Sequence, residues 1–135
     1  MVHYFHGAIS RMARMEIPVI IGINGTAGGG GFSLAITGDI IFSIKDAKFT
    51  LAYTNAGLSP DGSSTYYLPR MVGIKRAKEL MLTNRVFTAY EALEMGLTAK
   101  VLDTHEDVTK ELRIPTEPFA NGPRHAFASV KYLWN

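Results

Sequence analysis

Four consecutive glycines, Gly28 to Gly31, lie between an apolar run, Val19 to Ile23, and a segment with helical character, Phe32 to Ile36. Backbone without side chains at the mouth of a helix lets unpaired N–H groups approach a ligand oxygen closely. The helix dipole adds about half a positive charge at that end. Such a turn suits a phosphate or a developing oxyanion. A nucleotide-binding loop needs Gly-Lys-Ser/Thr after the glycines, and none follows. A dinucleotide fingerprint fits poorly. Ser33 holds the place of its third glycine, and no isolated acidic residue ends a second strand about 20 residues on. By local pattern alone, the glycines equally permit a tight turn and close packing of helix on strand.

The elements that must position this turn follow from periodicity and punctuation. Phe5, Ile9, Met12 and Met15 recur at helical spacing, and Pro18 ends that helix. Val19–Ile23 reads as a strand buried on both faces, as in parallel sheets. Asp39 to Ile44 and Lys48 to Ala52 read as two further strands, and Asn55 to Ser64 as a loop rich in Gly, Pro and Ser. Helices are expected over Ile74 to Thr83 and Ala89 to Met95. Thr88 and Glu91 form a capping box for the second, and Gly96 closes it. A last strand spans Ala99 to Leu102, and a helical segment about residues 120–135. Pro115 and Pro118 between them would break any long helix. The order of elements is α/β.

The chain has 135 residues, 47% apolar and 19% charged, with a net charge of +2 and no cysteine. That length suits one domain. The charge balance argues against a nucleic-acid footprint, and the absence of cysteine excludes disulfide and thiolate chemistry. No apolar run approaches the ~20 residues of a membrane span, and the first ten residues lack the apolar core of a secretory signal. A cytoplasmic enzyme-like domain is the expectation.

Several motifs occur together and in order. They are Pro18 to Gly31 with Asn24, Gly25 and Ala27, then Asp39-Ile40, Ala47-x-Phe49, Gly57-Leu58-x-Pro60 and Leu68-Pro69-Arg70-x-Val72-Gly73. Ala77 to Thr83 and Glu91-Ala92-x-x-x-Gly96-Leu97 continue the series. Over about residues 5–103 this pattern resembles the crotonase superfamily, the enoyl-CoA hydratases and isomerases. The resemblance implies a single partial domain over residues 1–135. It would be a crotonase-like ββα spiral, incomplete at the N-terminal side and shortened at the C-terminus. It also implies acyl-CoA thioester substrates, a homo-oligomer (a trimer or a dimer of trimers), and no metal or redox cofactor, since coenzyme A arrives within the substrate.

The resemblance assigns chemistry to particular positions. The Gly30 N–H, flanked by Gly29 and Gly31, would hold the thioester oxygen. Its partner donor comes, in the family, from an earlier loop that this chain lacks. The two glutamates of the hydratases fall by register on Ser33 and Tyr53, so hydration by the usual pair is disfavoured. Asp61, after Pro60, matches the single aspartate by which related isomerases shuttle a proton and by which chlorobenzoyl-CoA dehalogenases attack an aromatic carbon. His6 falls where those dehalogenases carry a water-activating base, and Tyr53 where they carry a tryptophan that donates to the aspartate. Tyr66 is a candidate for the acyl pocket, and Ser33, Tyr53 and Pro60 for substrate contact. Plainer roles remain open: Asp61 as a turn residue or helix N-cap, His6 as a surface histidine, and Tyr66 as a core residue. The expected activity is double-bond isomerisation through an oxyanion-stabilised enolate. The alternatives are a hydrolytic acyl-CoA dehalogenase or hydrolase using Asp61 and His6, and a catalytically silent fragment acting through assembly.

Overall fold

Short isoleucine-rich runs separated by glycine favour short parallel strands joined by helices. The computed structural model describes residues 2–134. Helix α1 (Val2–Arg14) is followed by strands β1 (Ile20–Ile23) and β2 (Ala27–Gly28), then helix α2 (Gly30–Ala35). Strands β3 (Ile40–Ile44) and β4 (Lys48–Thr50) come next, then a 3-10 turn at Thr54–Ala56 and helices α3 (Ser64–Val72) and α4 (Ile74–Thr83). The chain continues through β5 (Phe87–Thr88), α5 (Ala89–Glu94), β6 (Lys100–Leu102), α6 (His105–Arg113), α7 (Thr116–Asn121) and α8 (Arg124–Trp134).

Successive turns of the chain place one strand in each of two sheets. One sheet has the order β1-β3-β6, all parallel, with Ile21 opposite Ile41 and Ser43 opposite Val101. The other has the order β2-β4-β5, parallel between β2 and β4 and antiparallel between β4 and β5. The order strand–strand–helix, which the sequence resemblance implies, holds for β1-β2-α2 and β3-β4-α3, while α5 separates β5 from β6 in the third turn.

The core is centred where α2 lies against the second sheet. Phe32, Phe49 and Phe87 are fully buried. Phe32 meets the other two rings edge-on at 6.4 and 6.0 Å, and Phe49 stacks on Phe87 at 5.3 Å. Those offset geometries suit the ring quadrupole. Phe32 is the third residue of α2, so the core grips the helix whose first residue is Gly30.

Several expected boundaries change. β1 is half-buried except at Ile23, because it is an edge strand and not a central one. β4 stops at Thr50, since Ala52 adopts φ 57° and leaves the extended region. The loop expected up to Ser64 gives way to α3, which carries Pro69 in its interior. A proline there forfeits one helix hydrogen bond, and α3 offsets the loss by burying Leu68 completely. β2, β5, α6 and α7 are additional. The C-terminal helix starts at Arg124, because Ala120 and Asn121 end α7.

The Thr88–Glu91 capping box is present, with both reciprocal bonds made. Gly96 follows α5 in the left-handed region at φ 74°. Replacing Thr88 by alanine is expected to cost about 1 kcal/mol, read as a lower urea midpoint at unchanged m-value.

A long-range tether joins the two ends. Lys131 of α8 is buried, and its Nζ donates to the carbonyls of Met12 and Ile17, each at 3.1 Å. It also pairs with Asp39 Oδ2 at 2.7 Å, the oxygen that accepts the Val19 N–H.

Candidate active site

The glycine turn ends in a helix start with unbonded amides. Gly29 adopts φ 51°, which only glycine takes without strain. Its N–H donates to Thr50 O at 3.2 Å, and its carbonyl accepts the Ser33 N–H at 3.0 Å. The Gly29 amide is thereby used inside the fold. Gly30 and Gly31 begin the helix, where N–H groups have no intrahelical acceptor. A Cβ on Gly31 would meet open space, and one on Gly30 would lie 3.5 Å from the Phe5 ring. The helix start thus faces an accessible surface bordered by α1.

The same Phe5 ring reaches the aspartate loop. Gly62 has φ 60°, and a Cβ there would stand 2.9 Å from Phe5 and 2.6 Å from Ser33 Cβ. Gly62 is therefore obligatory on both conformational and packing grounds. One ring touching both glycines brings the start of α2 and the Asp61 loop onto one face. Asp61 and His6 open that face to solvent, with 36% and 48% of their side-chain surfaces exposed.

Beneath Asp61 lies a small polar network. Tyr53 OH donates to Asp61 Oδ1 at 2.6 Å, Ser33 Oγ lies 2.8 Å from Tyr53 OH, and Ser33 Oγ lies 3.0 Å from the Asp61 carbonyl oxygen. Ser64 Oγ donates to that carbonyl at 2.7 Å. On the other side, the Gly62 N–H donates to His6 Nε2 at 3.2 Å, and Nε2 lies 3.8 Å from Asp61 Oδ2. An Nε2 that accepts a hydrogen bond leaves the neutral ring's proton on Nδ1.

The network sets the state of Tyr53. Burial first, and then its bond to the Asp61 carboxylate, push the Tyr53 hydroxyl up to about 12, while the Ser33 bond acts the other way. The phenol therefore stays protonated and donating across the physiological range. Because its folded value is raised, its contribution to stability is complete below pH about 10. That contribution is lost as pH rises through about 12. Subtracting the phenolate absorbance titration of Tyr53→Phe from that of the wild type should isolate one group titrating near the higher value.

Placement differs among the other expected residues. Asp61 is no helix cap: Ser63 occupies that position, and the Asp61 carboxylate is held by Tyr53. Ser33 and Tyr53 are buried beside Asp61, 0% and 7% exposed, and hydrogen-bond toward it. Pro60 precedes Asp61 in the loop and is half-buried. Tyr66 projects from α3 with the Arg70 guanidinium 3.5 Å over its ring and Tyr67 edge-on at 5.2 Å. Phe5, Gly62 and Ser64 were not foreseen. The Asp61-x-x-Ser64 spacing, which suits a side-chain-to-backbone turn, was a usable signal for the last.

The profile of the enoyl-CoA hydratase/isomerase family matches residues 4–135. The chain belongs to that family. Among its relatives, 4-chlorobenzoyl coenzyme A dehalogenase-1 of an Arthrobacter species is 37% identical over 128 residues, covering 95% of this chain and 46% of the relative. The 1,2-epoxyphenylacetyl-CoA isomerase of Escherichia coli K12 is 36% identical, over 85% of this chain and 45% of its own length. A crystal structure of an enoyl-CoA hydratase/isomerase from Cupriavidus metallidurans superposes with a TM-score of 0.91 at 36% identity, over 96% of this chain and 49% of that one. The chain spans about half the length of the relatives it matches. The crotonase-type α/β fold is thereby established. No helix among the described residues is long and apolar enough to cross a membrane.

Proposed function

We propose that this family member moves a double bond along an enoyl-CoA thioester, with Asp61 carrying the proton and the Gly30 N–H receiving the enolate oxygen. The observation that carries the reading is one carboxylate on the same face as the free amide of α2. Oδ1 of that carboxylate is occupied by Tyr53, and Oδ2 lies 3.8 Å from His6 Nε2 on a side chain 36% exposed. Asp61 would remove a proton from C2 of a 3-enoyl-CoA, sending the electron pair through the thioester to its oxygen. Return of the same proton to C4 re-forms the carbonyl and leaves a 2-enoyl-CoA. Atoms and charge balance without a resident cofactor, and coenzyme A enters with the substrate. A donor pre-aimed at the developing oxyanion contributes about 2.7–4 kcal/mol. Hydration by the usual pair of carboxylates is disfavoured, since Ser33 and Tyr53 stand where the resemblance puts the hydratases' two glutamates.

A hydrolytic dehalogenase is the second reading, favoured by Tyr53 donating to Asp61 and by His6 at 3.8 Å from Oδ2. Against it, the Nε2 lone pair is already engaged by the Gly62 N–H, so a base role for His6 requires that bond to release. Assay of the purified protein with a 3-enoyl-CoA and with 4-chlorobenzoyl-CoA separates the two. Formation of the conjugated 2-enoyl product supports isomerisation. Chloride release that disappears in His6→Ala overturns it in favour of hydrolysis, and inertness toward both overturns both in favour of a silent subunit. Assembly as a trimer or a dimer of trimers belongs to the same proposal, and light scattering after gel filtration reads it.

A further inference from the structure

Ser33 stands where the family's chemistry would place a group in contact with substrate, yet it is fully buried, with Oγ 3.0 Å from the Asp61 carbonyl. Its hydroxyl reaches the carboxylate through Tyr53. We propose that Ser33 is a positioning residue that fixes the Tyr53 hydroxyl on Asp61 Oδ1 and so selects Oδ2 as the oxygen that exchanges protons. This inference rests on the isomerase reading for its catalytic consequence but not for its geometry.

Proton counting leads there. Tyr53 has one hydroxyl hydrogen, and at 2.6 Å it lies on Asp61 Oδ1. The 2.8 Å contact with Ser33 then has Ser33 as donor and Tyr53 as acceptor. Ser33 also has one hydrogen, and the Asp61 carbonyl, at 3.0 Å, lies within its reach as well. That carbonyl already accepts the Ser64 hydroxyl at 2.7 Å and the Ser64 N–H at 3.0 Å, which fill its two lone pairs. The Ser33 proton is therefore released for Tyr53. With Ser33 and Tyr53 both buried, no bulk water competes for these positions, and each bond polarises the next.

Helix α2 gives the arrangement its purpose. Gly30 and Ser33 are three residues apart on this one-and-a-half-turn helix, so the amide aimed at the substrate and the hydroxyl under the aspartate move as one body. Packing of Gly62 onto Ser33 locks the loop against the helix, since even a methyl group would collide there. Ser33 thus ties the position of the acid–base group to that of the oxyanion donor.

The test combines proton NMR with a double-mutant cycle. In the wild type, the Tyr53 hydroxyl proton should give a downfield resonance that is absent from Tyr53→Phe. Ser33→Ala is expected to shift that resonance upfield or merge it with water. Ser33→Cys, which keeps a weak donor in nearly the same volume, is expected to give an intermediate position should the alanine variant fail to fold. Ser33→Ala should also lower kcat roughly tenfold at unchanged KM, and should lower it no further in the Tyr53→Phe background. A resonance unmoved by the Ser33 variants overturns the proposal, and so does an equal loss of kcat in both backgrounds. Failure of the isomerase reading is a separate result: it shows as absence of turnover by the wild type, whereas the resonance reads Ser33 whatever the protein turns over.

Discussion

Asp61→Asn is expected to reduce kcat for double-bond migration by about 10²–10⁴-fold, the usual contribution of a positioned general base. That loss corresponds to roughly 3–5 kcal/mol of transition-state stabilisation. The substitution is nearly isosteric, and an amide oxygen still accepts the Tyr53 hydroxyl at Oδ1. What disappears is the proton acceptor at Oδ2, on the side facing His6. KM should change little, because substrate binding keeps the Gly30 amide and the surrounding surface. Residual turnover should persist for the same reason. Wild-type kcat in the asparagine variant would remove Asp61 from the mechanism, and a large KM effect at constant kcat would make it a binding residue instead.

The second large effect is structural. Phe32→Ala is expected to destabilise the fold by about 3–5 kcal/mol, the range for truncating a buried aromatic ring. Against a total stability of about 5–15 kcal/mol for an ordinary domain, that is a substantial fraction. The ring is fully buried and meets Phe49 and Phe87 edge-on, so its removal opens a void that two other rings border. Urea unfolding with an unchanged m-value should report the loss as a lower midpoint. A change below about 1 kcal/mol would mean that the core is not organised around this ring. Because Phe32 also anchors α2, the variant's surviving folded fraction should show weaker oxyanion stabilisation as well.

Much of this arrangement could be read from residue types. Ile20 to Ile23 and Ile40 to Ile44 lie within one residue of the expected strands, since apolar runs flanked by turn residues have few other uses. Thr88 and Glu91 announced the start of α5 because a capping box is local and leaves a side-chain signature. The same signature at Thr104 and Asp107 marks α6, but the nearby Pro115 and Pro118 pointed toward a broken segment. α7 accepts Pro118 at its third position, in the first turn, where a missing N–H costs nothing. α3 stayed hidden because Ser63, Ser64 and Pro69 all read as loop, and only tertiary burial of Leu68 settles the matter.

At the site, Gly30 and the glycine after Asp61 are legible as backbone positions, and both lie beside the Phe5 ring. The hydrogen bonds that Gly62 and Ser64 make are not legible, because they use an amide hydrogen and a backbone carbonyl, which carry no chemical label in a sequence. Ser33 and Tyr53, candidates for substrate contact by the resemblance, are buried. Register with a family fixes a position along the chain, while depth depends on what packs above it.

The ammonium of Lys131 has a consequence for engineering. It knots the last helix to the final turn of the first and to the residues just beyond it, and the first helix carries Phe5 and His6 to the aspartate. Trimming or fusing at the tail would therefore be felt first at the head, as slackening of the imidazole and ring that border the reacting groups, well before any strand came apart.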